Sequence, residues 1–483
     1  MAAMGEDHQH RPHLHLPHLP RPHLPPHLSA RTVLQGRSLK RLGVAAVLIA
    51  GLSVLAPGYL PVLLLTATAL VYLVSTVDRN LLILKGLRSP SFVTISDEQA
   101  LSIPDDELPV YTVLLPVYHE PKIVEDLING VCRLDYPSDR LELLLLVEED
   151  DTETQNALSS LPLENIRIVL VPHSMPKTKP KACNYGMLLP DRRGELVTIY
   201  DAEDIPDPLQ LRRAVAAFRN LPEDVGCLQA RLAYFNERQN LLTRWFSLEY
   251  DQWFGLVLPA VENAGCVVPL GGTSNHMPAR VWHAVGGWDE FNVTEDADLG
   301  VRLARHGYKT LILDSTTLEE ANSDVVNWIR QRSRWYKGYL QTTFVHLRHP
   351  LQLRREIGTV ALLRLVNMTG AIPITSALNL VFWSTMLIWI LGHPSMISTL
   401  FPPFTYYICL ATFIIGTPLF IFIELIVAQV LGKPYLWWAA LLIPLYWFLQ
   451  SVAALKAIYQ LIFRPFFWEK TVHGLAIPYS LQK

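Results

Sequence analysis

Asp201 and Glu203 stand one residue apart, Thr294-Glu295-Asp296 follows about 90 residues later, and Gln331, Arg334 and Trp335 come about 35 residues after that. Two carboxylates so spaced, just past a strand, can share a hard divalent cation, Mg²⁺ or Mn²⁺, that bridges to phosphate oxygens. Such a cation offsets the charge that builds on a departing diphosphate. A further carboxylate within hydrogen-bond reach of a hydroxyl can take its proton; Asp296 is assigned that part, with Glu295 beside it. On a helix, Gln331, Arg334 and Trp335 share one face. The guanidinium can clamp a phosphate and the indole offers a flat apolar wall to a ring. Each cluster also has a plainer use. Asp204 can cap a helix starting near Pro208, and Thr294 with two acids reads as a helix N-terminus. Arg330, Arg332 and Lys337 make the third cluster a basic amphipathic helix under a membrane.

The elements that position these groups follow from composition and pattern. Half of the 483 residues are hydrophobic and 18% are charged, the balance of a membrane protein. A net charge of -3 argues against a nucleic-acid partner. Cys132, Cys183, Cys227, Cys266 and Cys409 are scattered, so neither a zinc site nor a disulfide frame is indicated, and a reducing cytoplasmic setting fits. In residues 1–40 seven histidines alternate with proline and leucine. Such a tail is expected to be disordered; it can bind metal, but no fixed geometry holds the rings, and it lacks the layout of a signal peptide. Apolar runs at 42–56 and 59–77 have basic outer flanks, which predicts a hairpin over 41–78 with both ends cytoplasmic; one kinked helix is the competing reading.

Residues 79–348 read as α/β. Apolar runs at 111–116, 141–147, 166–171 and 196–200 alternate with helical segments, which implies a parallel sheet binding its ligand at the carboxyl ends of the strands. The acidic runs 148–151 and 201–204 fall at such ends. Residues 241–261 are helical in period and aromatic, suiting either a membrane interface or a packed core. Over 349–463 an interfacial segment (357–373) precedes candidate crossings at 374–391, 404–431 and 435–463. Three crossings would put the tail, 464–483, outside.

In this order the three clusters resemble the DxD, TED and QxxRW motifs of glycosyltransferase family 2. The resemblance is to its membrane-embedded branch of cellulose, chitin and hyaluronan synthases and related bacterial exopolysaccharide synthases, and it covers about residues 105–345. Asp201-Ala202-Glu203 departs from DxD by one methylene. The resemblance implies an α/β GT-A (Rossmann-like) cytoplasmic domain plus an α-helical transmembrane region. It implies that Tyr118 and Glu120 lie by the nucleotide base and that the acids around Glu149 and Asp150 contact the nucleoside. Lys181, in Lys181-Ala182-Cys183-Asn184, would lie near the diphosphate with Gln331 and Arg334. Thr273, His276 and Trp335 would serve the acceptor, and Asp201 and Glu203 the metal. Phe467-Trp468-Glu469-Lys470-Thr471 resembles a Trp-x-Lys-Thr element that can gate the nucleotide; it reads equally as an aromatic-basic membrane anchor, and a gate needs a cytoplasmic C-terminus.

The implied activity is inverting, metal-dependent transfer of a hexose or N-acetylhexosamine from a nucleoside-diphosphate sugar, UDP-linked by expectation. The acceptor would be a growing β-linked polysaccharide, extended processively and translocated across the bacterial inner (plasma) membrane. Expected partners are the nucleotide-sugar donor, a glycan or lipid-linked acceptor, membrane lipids and secretion-system subunits. Two rival readings remain: single transfer onto a lipid carrier, and a non-catalytic subunit of an envelope polysaccharide assembly.

Overall fold

The structure, a computed structural model, describes Pro22, residues 24–33, scattered positions between 43 and 56, and residues 58–476 except 162, 164, 394, 472 and 473. Eight strands form one sheet in the order β3-β2-β1-β4-β7-β6-β8-β5. They are β1 (Tyr111–Val117), β2 (Leu141–Glu148), β3 (Ile166–Val171), β4 (Leu196–Ile199), β5 (Ile205–Pro206), β6 (Val225–Tyr234), β7 (Asn275–Pro278) and β8 (Lys309–Glu319). β1, β2, β3 and β4 pair in parallel. The leucine and valine runs of β1 and β2 are buried almost throughout, as a parallel sheet covered on both faces requires. The other half is mixed. β7 runs antiparallel to β4 and β6, β5 antiparallel to β8, and β6 parallel to β8. An all-parallel sheet was expected, but β7 reads Asn-His-Met-Pro and carries no apolar run to announce a strand.

The helices that matter for the site are α1 (Tyr59–Arg88), α2 (Lys179–Met187), α3 (Leu241–Gln252), α4 (Glu295–Arg305), α5 (Val325–His346), α6 (Ile372–Gly392), α7 (Thr417–Val430) and α8 (Ile443–Phe463). A π-helical turn, Trp253–Val257, follows α3, and another, Val366–Ala371, leads into α6. Such turns insert a residue into the helical ladder and re-aim side chains, often at functional sites. The aromatic segment from residue 241 packs between the sheet domain and the apolar helices. Trp245, Phe246 and Trp328 are buried with Tyr446 of α8.

Among the described residues three helices are long and apolar enough to cross a membrane: Tyr59–Arg88, Thr359–Gly392 and Pro403–Val430. Each has one end tied to the sheet domain or to its neighbour there. Arg79 of α1 donates to Gln252 Oε1 (2.8 Å), Gln252 donates to Glu424 of α7 (2.7 Å), and Arg364 pairs with Asp78 (2.8 Å). Gly86 leaves α1 room to approach, since a Cβ there would lie 2.8 Å from the Leu256 carbonyl carbon.

The segment expected to cross at 435–463 is bent, a broken span or a re-entrant loop. It breaks by 61° between Pro434–Leu441 and α8. Pro444 stands in the first turn of α8, where the missing N–H costs nothing. Tyr446, near the start of α8, packs on Trp328 of α5 with ring centroids 5.0 Å apart. Leu461, near its end, clusters with Leu340 of α5. The two helices therefore run side by side in one direction, and α8 also packs along α6.

Part of the residue 1–40 tail also departs from expectation. Pro26–Leu28 and Ala30–Thr32 form two 3₁₀ turns docked on the domain. Asp289 accepts from Ser29 Oγ (2.9 Å) and the Ala30 N–H (2.5 Å). Arg348 Nη1 donates to the carbonyls of His27 (2.8 Å) and Ser29 (3.1 Å). Ala30 and Val33 are buried with Leu340, Val345 and Leu461. The histidines at 8, 10, 13, 15, 18 and 23 lie outside the described residues. Asp289→Ala strips the acceptor from two buried donors, which costs about 1–3 kcal/mol. The thermal midpoint of the detergent-solubilised protein is expected to fall, and Asp289→Asn, which keeps one acceptor, should fall less.

Candidate active site

One cavity of about 400 Å³ takes in the ends of β1, β2 and β4, the 271–273 loop, the start of α4 and the middle of α5. Its centre is marked by a missing side chain. A Cβ built on Gly272 would lie 3.4 Å from Asp296 Oδ2, 3.7 Å from Lys179 Nζ and 4.0 Å from Asp201 Oδ2. Three groups far apart in sequence thus meet over one glycine. The backbone here is strained: Ser274 and His119 hold φ of 56° and 52° without being glycines. Left-handed conformations at such residues cost free energy and cluster at functional sites.

Asp201 follows β4, and its backbone N–H donates to Asp204 Oδ2 (2.7 Å), closing the turn that projects it. Its carboxylate pairs with Lys179 Nζ at 2.5 Å. Lys179 also donates to the Gly272 carbonyl (2.7 Å). Glu203 lines the same cavity. Burial first, then the charge of Asp201, pushes its carboxyl up to about 8. Glu319 lies on the same wall, and burial and the neighbouring acids hold it well above the usual carboxylate range. Three acids on one wall repel one another, and Lys179 answers only part of that charge. A divalent cation shared by Asp201 and Glu203 would relieve it, so the donor set fits a hard cation completed by phosphate oxygens. Among the described residues no group of three or more His, Cys, Asp or Glu side chains could hold a metal unaided.

Glu295 and Asp296 open α4, Glu295 buried and Asp296 half-buried. Burial raises both carboxyls, Asp296 to about 6 and Glu295 further because Asp296 sits next to it. Thr294 makes no side-chain cap. The tripeptide is placed instead by α5: a Cβ on Gly338 would lie 2.7 Å from the Thr294 backbone N, so only glycine lets α5 press that close.

On α5 the two arginines separate in role. Arg332 is bidentate to Glu249, with Nη1 at 3.0 Å from Oε1. Arg334 lines the cavity, makes no ion pair among the described residues, and has a buried Nε with no hydrogen-bond partner. A buried guanidinium donor left open in this way suits an anion. Trp335 lines the cavity while held against Tyr250, ring centroids 6.0 Å apart and 26° between planes, and under Arg332. Gln331 lines it too, with Oε1 accepting from Asn322 (2.8 Å).

Tyr118 and Glu120 border the cavity at the end of β1. The segment after α8 lies over them. Lys470 donates to the carbonyls of Tyr118 and His119 (2.7 Å to the latter) and sits 3.7 Å from Glu120. Trp468 stacks on the Arg334 guanidinium at 4.8 Å. The Pro465 carbonyl accepts from Gln341 (2.9 Å) and that of Phe467 from Lys337 (2.5 Å).

Four expected site residues lie elsewhere. His276 is buried between strands, with Nδ1 2.7 Å from Tyr111 Oη and Nε2 3.2 Å from Gln210 Oε1. Burial pushes it down to about 3, so it is a neutral core imidazole. Lys181 pairs with Glu148 (2.7 Å), both buried, and does not line the cavity; Glu148 does. Glu149 and Asp150 point away. Glu149 accepts from the His173 N–H (3.3 Å), and Asp150 pairs with Lys177 at the surface. β2 ends at Glu148, so that acid and not the next two is carried into the cavity. Thr273 lines the cavity, but its hydroxyl is engaged by the Ile199 carbonyl (2.8 Å) and Asp204. Sequence reasoning missed Lys179, Glu148 and Glu319. Lys177, Lys179 and Lys181 alternate, and nothing in that run says which one reaches the acids.

The sheet order with acids at the carboxyl ends of β2 and β4 defines a GT-A glycosyltransferase fold. Residues 109–338 match the family described as "Glycosyltransferase like family 2". A mannosyltransferase from Pyrobaculum calidifontis, solved with GDP-Man and Mn²⁺, is similar in fold. It has TM-score 0.50 and 18% identity, over 79% of this chain and 99% of that one. A probable glycosyltransferase, YdaM of Bacillus subtilis (strain 168), is 25% identical over 52% of this chain and 60% of its own length. A beta-monoglucosyldiacylglycerol synthase of Synechocystis sp. is 27% identical over 55% of this chain and 56% of its own. The chain thus spans a little over half the length of the curated relatives it matches.

Gly338→Val should drive α5 off Thr294 and shift Asp296 relative to Asp201. A displacement of about 1 Å can cost about a hundredfold in rate. Donor turnover should fall by that order while binding of a manganese–nucleotide complex, measured by calorimetry, stays within a few fold. Retained turnover would mean that this packing does not set the site.

Proposed function

We propose that the protein is an inverting glycosyltransferase that takes a sugar from a nucleoside-diphosphate donor and passes it to a hydroxyl at the membrane face. The observation that carries this reading is the meeting of Asp201, Asp296 and Lys179 over Gly272, with Arg334 in the same cavity. Asp201 and Glu203 would hold Mg²⁺ or Mn²⁺, which supplies positive charge to the diphosphate. Arg334 and Lys179 face the same leaving group. Asp296, ionised, accepts the proton of the acceptor hydroxyl. That oxygen forms its bond to the anomeric carbon as the bond to the diphosphate oxygen breaks, and the nucleoside diphosphate leaves. One displacement inverts the centre, giving a β-linked product from an α-linked donor.

Tyr118, Glu120 and Glu148 form the wall available to the nucleoside, and the Trp468–Lys470 segment covers it. Because that cover lies on Tyr118 and Arg334, it has to move for the donor to enter. Residues 24–33 and 465–471 both rest on the sheet domain, while three apolar spans leave it. That arrangement supports an integral membrane protein with the catalytic domain on one side, cytoplasmic given its nucleotide donor. The acceptor is either the growing polysaccharide expected from the resemblance or a lipid, and the name of the Synechocystis relative favours a lipid.

Asp296→Asn, which keeps shape and removes the base, is expected to lower the transfer rate by about 10²–10⁴-fold with manganese–nucleotide affinity retained. Wild-type rate should fall as pH drops through about 6, because the raised Asp296 carboxyl works only when ionised and burial makes it take up its proton early. A profile flat down to the ordinary carboxylate range, or full activity of the Asn variant, would remove Asp296 from this role.

A further inference from the structure

The cavity does not stop at the acids. It continues past Trp335 to Asp78, Arg79 and Leu82 of α1, to the π turn after α3 and to the start of α6. There Leu82, Trp253, Phe254, Val257, Met368 and Ile372 give an apolar wall, which Arg79, Gln252, Asn367 and Gln450 border. Both π turns, Trp253–Val257 and Val366–Ala371, border this part.

Its depth is limited. On α6 the lining reaches only Ser376, about 6 Å along a helix about 30 Å long. Among the described residues none from 59 to 77, from 377 to 392 or from 403 to 430 borders it. Those stretches turn large apolar side chains outward instead, among them Leu63, Leu387, Trp389 and Ile415. α8 lies along α5 and borders the cavity at Gln450. The lined part of the cavity is thus a chamber at the membrane end of the catalytic domain. A polymer leaving across the bilayer would need a lined path through about 30 Å of hydrocarbon.

Two of the charges around the chamber are matched, Asp78 by Arg364 and Glu249 by Arg332. Arg79 makes no ion pair among the described residues; it donates to the Gln252 amide, which donates to Glu424. Towards the centre a phosphate nucleophile would meet Glu295 and Asp296 and be repelled. A phosphate needs no base, whereas an uncharged hydroxyl does.

We infer that this chamber binds the acceptor and that the acceptor is an acyl lipid whose uncharged head offers a hydroxyl, which receives a single sugar and stays in the membrane. This rests on the reading of the site as a sugar transferase. The apolar wall takes the first part of the acyl chains, and the paired polar groups take the glycerol-like head below Trp335. The step is balanced: the lipid O–H gives its proton to Asp296, its oxygen bonds to the anomeric carbon, and the nucleoside diphosphate carries off the electrons of the broken bond.

The test uses the full chain in phosphatidylcholine nanodiscs with Mn²⁺ and radiolabelled UDP-glucose or GDP-mannose. One set contains dioleoylglycerol, one undecaprenyl phosphate, and one no further lipid. The expected result is a chloroform-soluble product bearing one sugar that appears only with dioleoylglycerol. A product of many sugars, or one formed only on undecaprenyl phosphate, overturns the inference. So does donor hydrolysis with no labelled lipid. Ile372→Trp, which fills the chamber, should cut the lipid product at least tenfold, and its manganese–nucleotide affinity reports that it is folded; undiminished product contradicts the assignment. A second arm needs no donor. A photoreactive diacylglycerol should label the peptides around Trp253 and Met368, competed by dioleoylglycerol. If no donor is turned over in any set yet labelling occurs, the transferase reading fails and the chamber stands as a lipid site; if labelling is absent, the chamber assignment fails whatever the donor does.

Discussion

The site depends on repulsion among acids that the fold forces together. Asp201, Glu203, Glu295, Asp296 and Glu319 line one cavity, and burial leaves little water to screen them. Like charges in such surroundings push carboxyl groups towards their protonated forms. Lys179 answers Asp201 directly and lies within reach of Asp296 over the bare backbone of Gly272. What remains is an unbalanced negative wall beside an Arg334 guanidinium that no acid has claimed. A cation with a diphosphate completes that set: the metal satisfies the acids and the phosphates satisfy the arginine. The arrangement holds together best when loaded, and this explains why so much sequence is spent on positioning it.

That positioning comes from packing at the membrane boundary. α5 carries Arg334 and Trp335, presses on Thr294 through Gly338, and is flanked along its length by α8. The strap after α8 crosses Arg334 and ends on the β1 carbonyls. The strap before the first apolar run docks on Asp289, six residues before Glu295, and Arg31 lies over Phe291, whose ring meets Phe466 of the other strap. Elements from both ends of the described chain therefore brace the loop that delivers Asp296. A shift of α8 would be felt at Asp296 and at Tyr118 together.

Much of this was legible in residue order. The three clusters announce themselves because each is short and local, and the first four strands do so because a parallel strand buried on both faces must be an apolar run. The first half of the sheet and the spans near 374–391 and 404–431 follow. What stayed hidden depended on side-chain direction or on long-range docking. Which of Glu148, Glu149 and Asp150 enters the cavity is decided by where β2 ends. Which of three alternating lysines reaches Asp201 is decided by the start of α2. His276 looked like a site residue because it follows the 271–275 loop, yet its strand turns it into the core. The last apolar segment has the composition of a crossing, and its 61° bend and its packing along α5 were not legible in that composition. The 24–33 strap carries the proline and histidine content of a loose tail, and its order comes from Asp289 and Arg348, far off in sequence.

The central claim is that Asp201 and Asp296 share one metal-bearing pocket. Metal-directed cleavage measures it: Fe²⁺ replaces Mn²⁺ in the presence of UDP or GDP, ascorbate and peroxide generate radicals at the bound ion, and the cut peptides are mapped. The account predicts backbone cuts near Asp201, Gly272 and Asp296 together, suppressed by excess Mn²⁺ and lost in Asp201→Ala. Cuts near residue 201 without cuts near 272 and 296, or cuts unaffected by Mn²⁺, would contradict it.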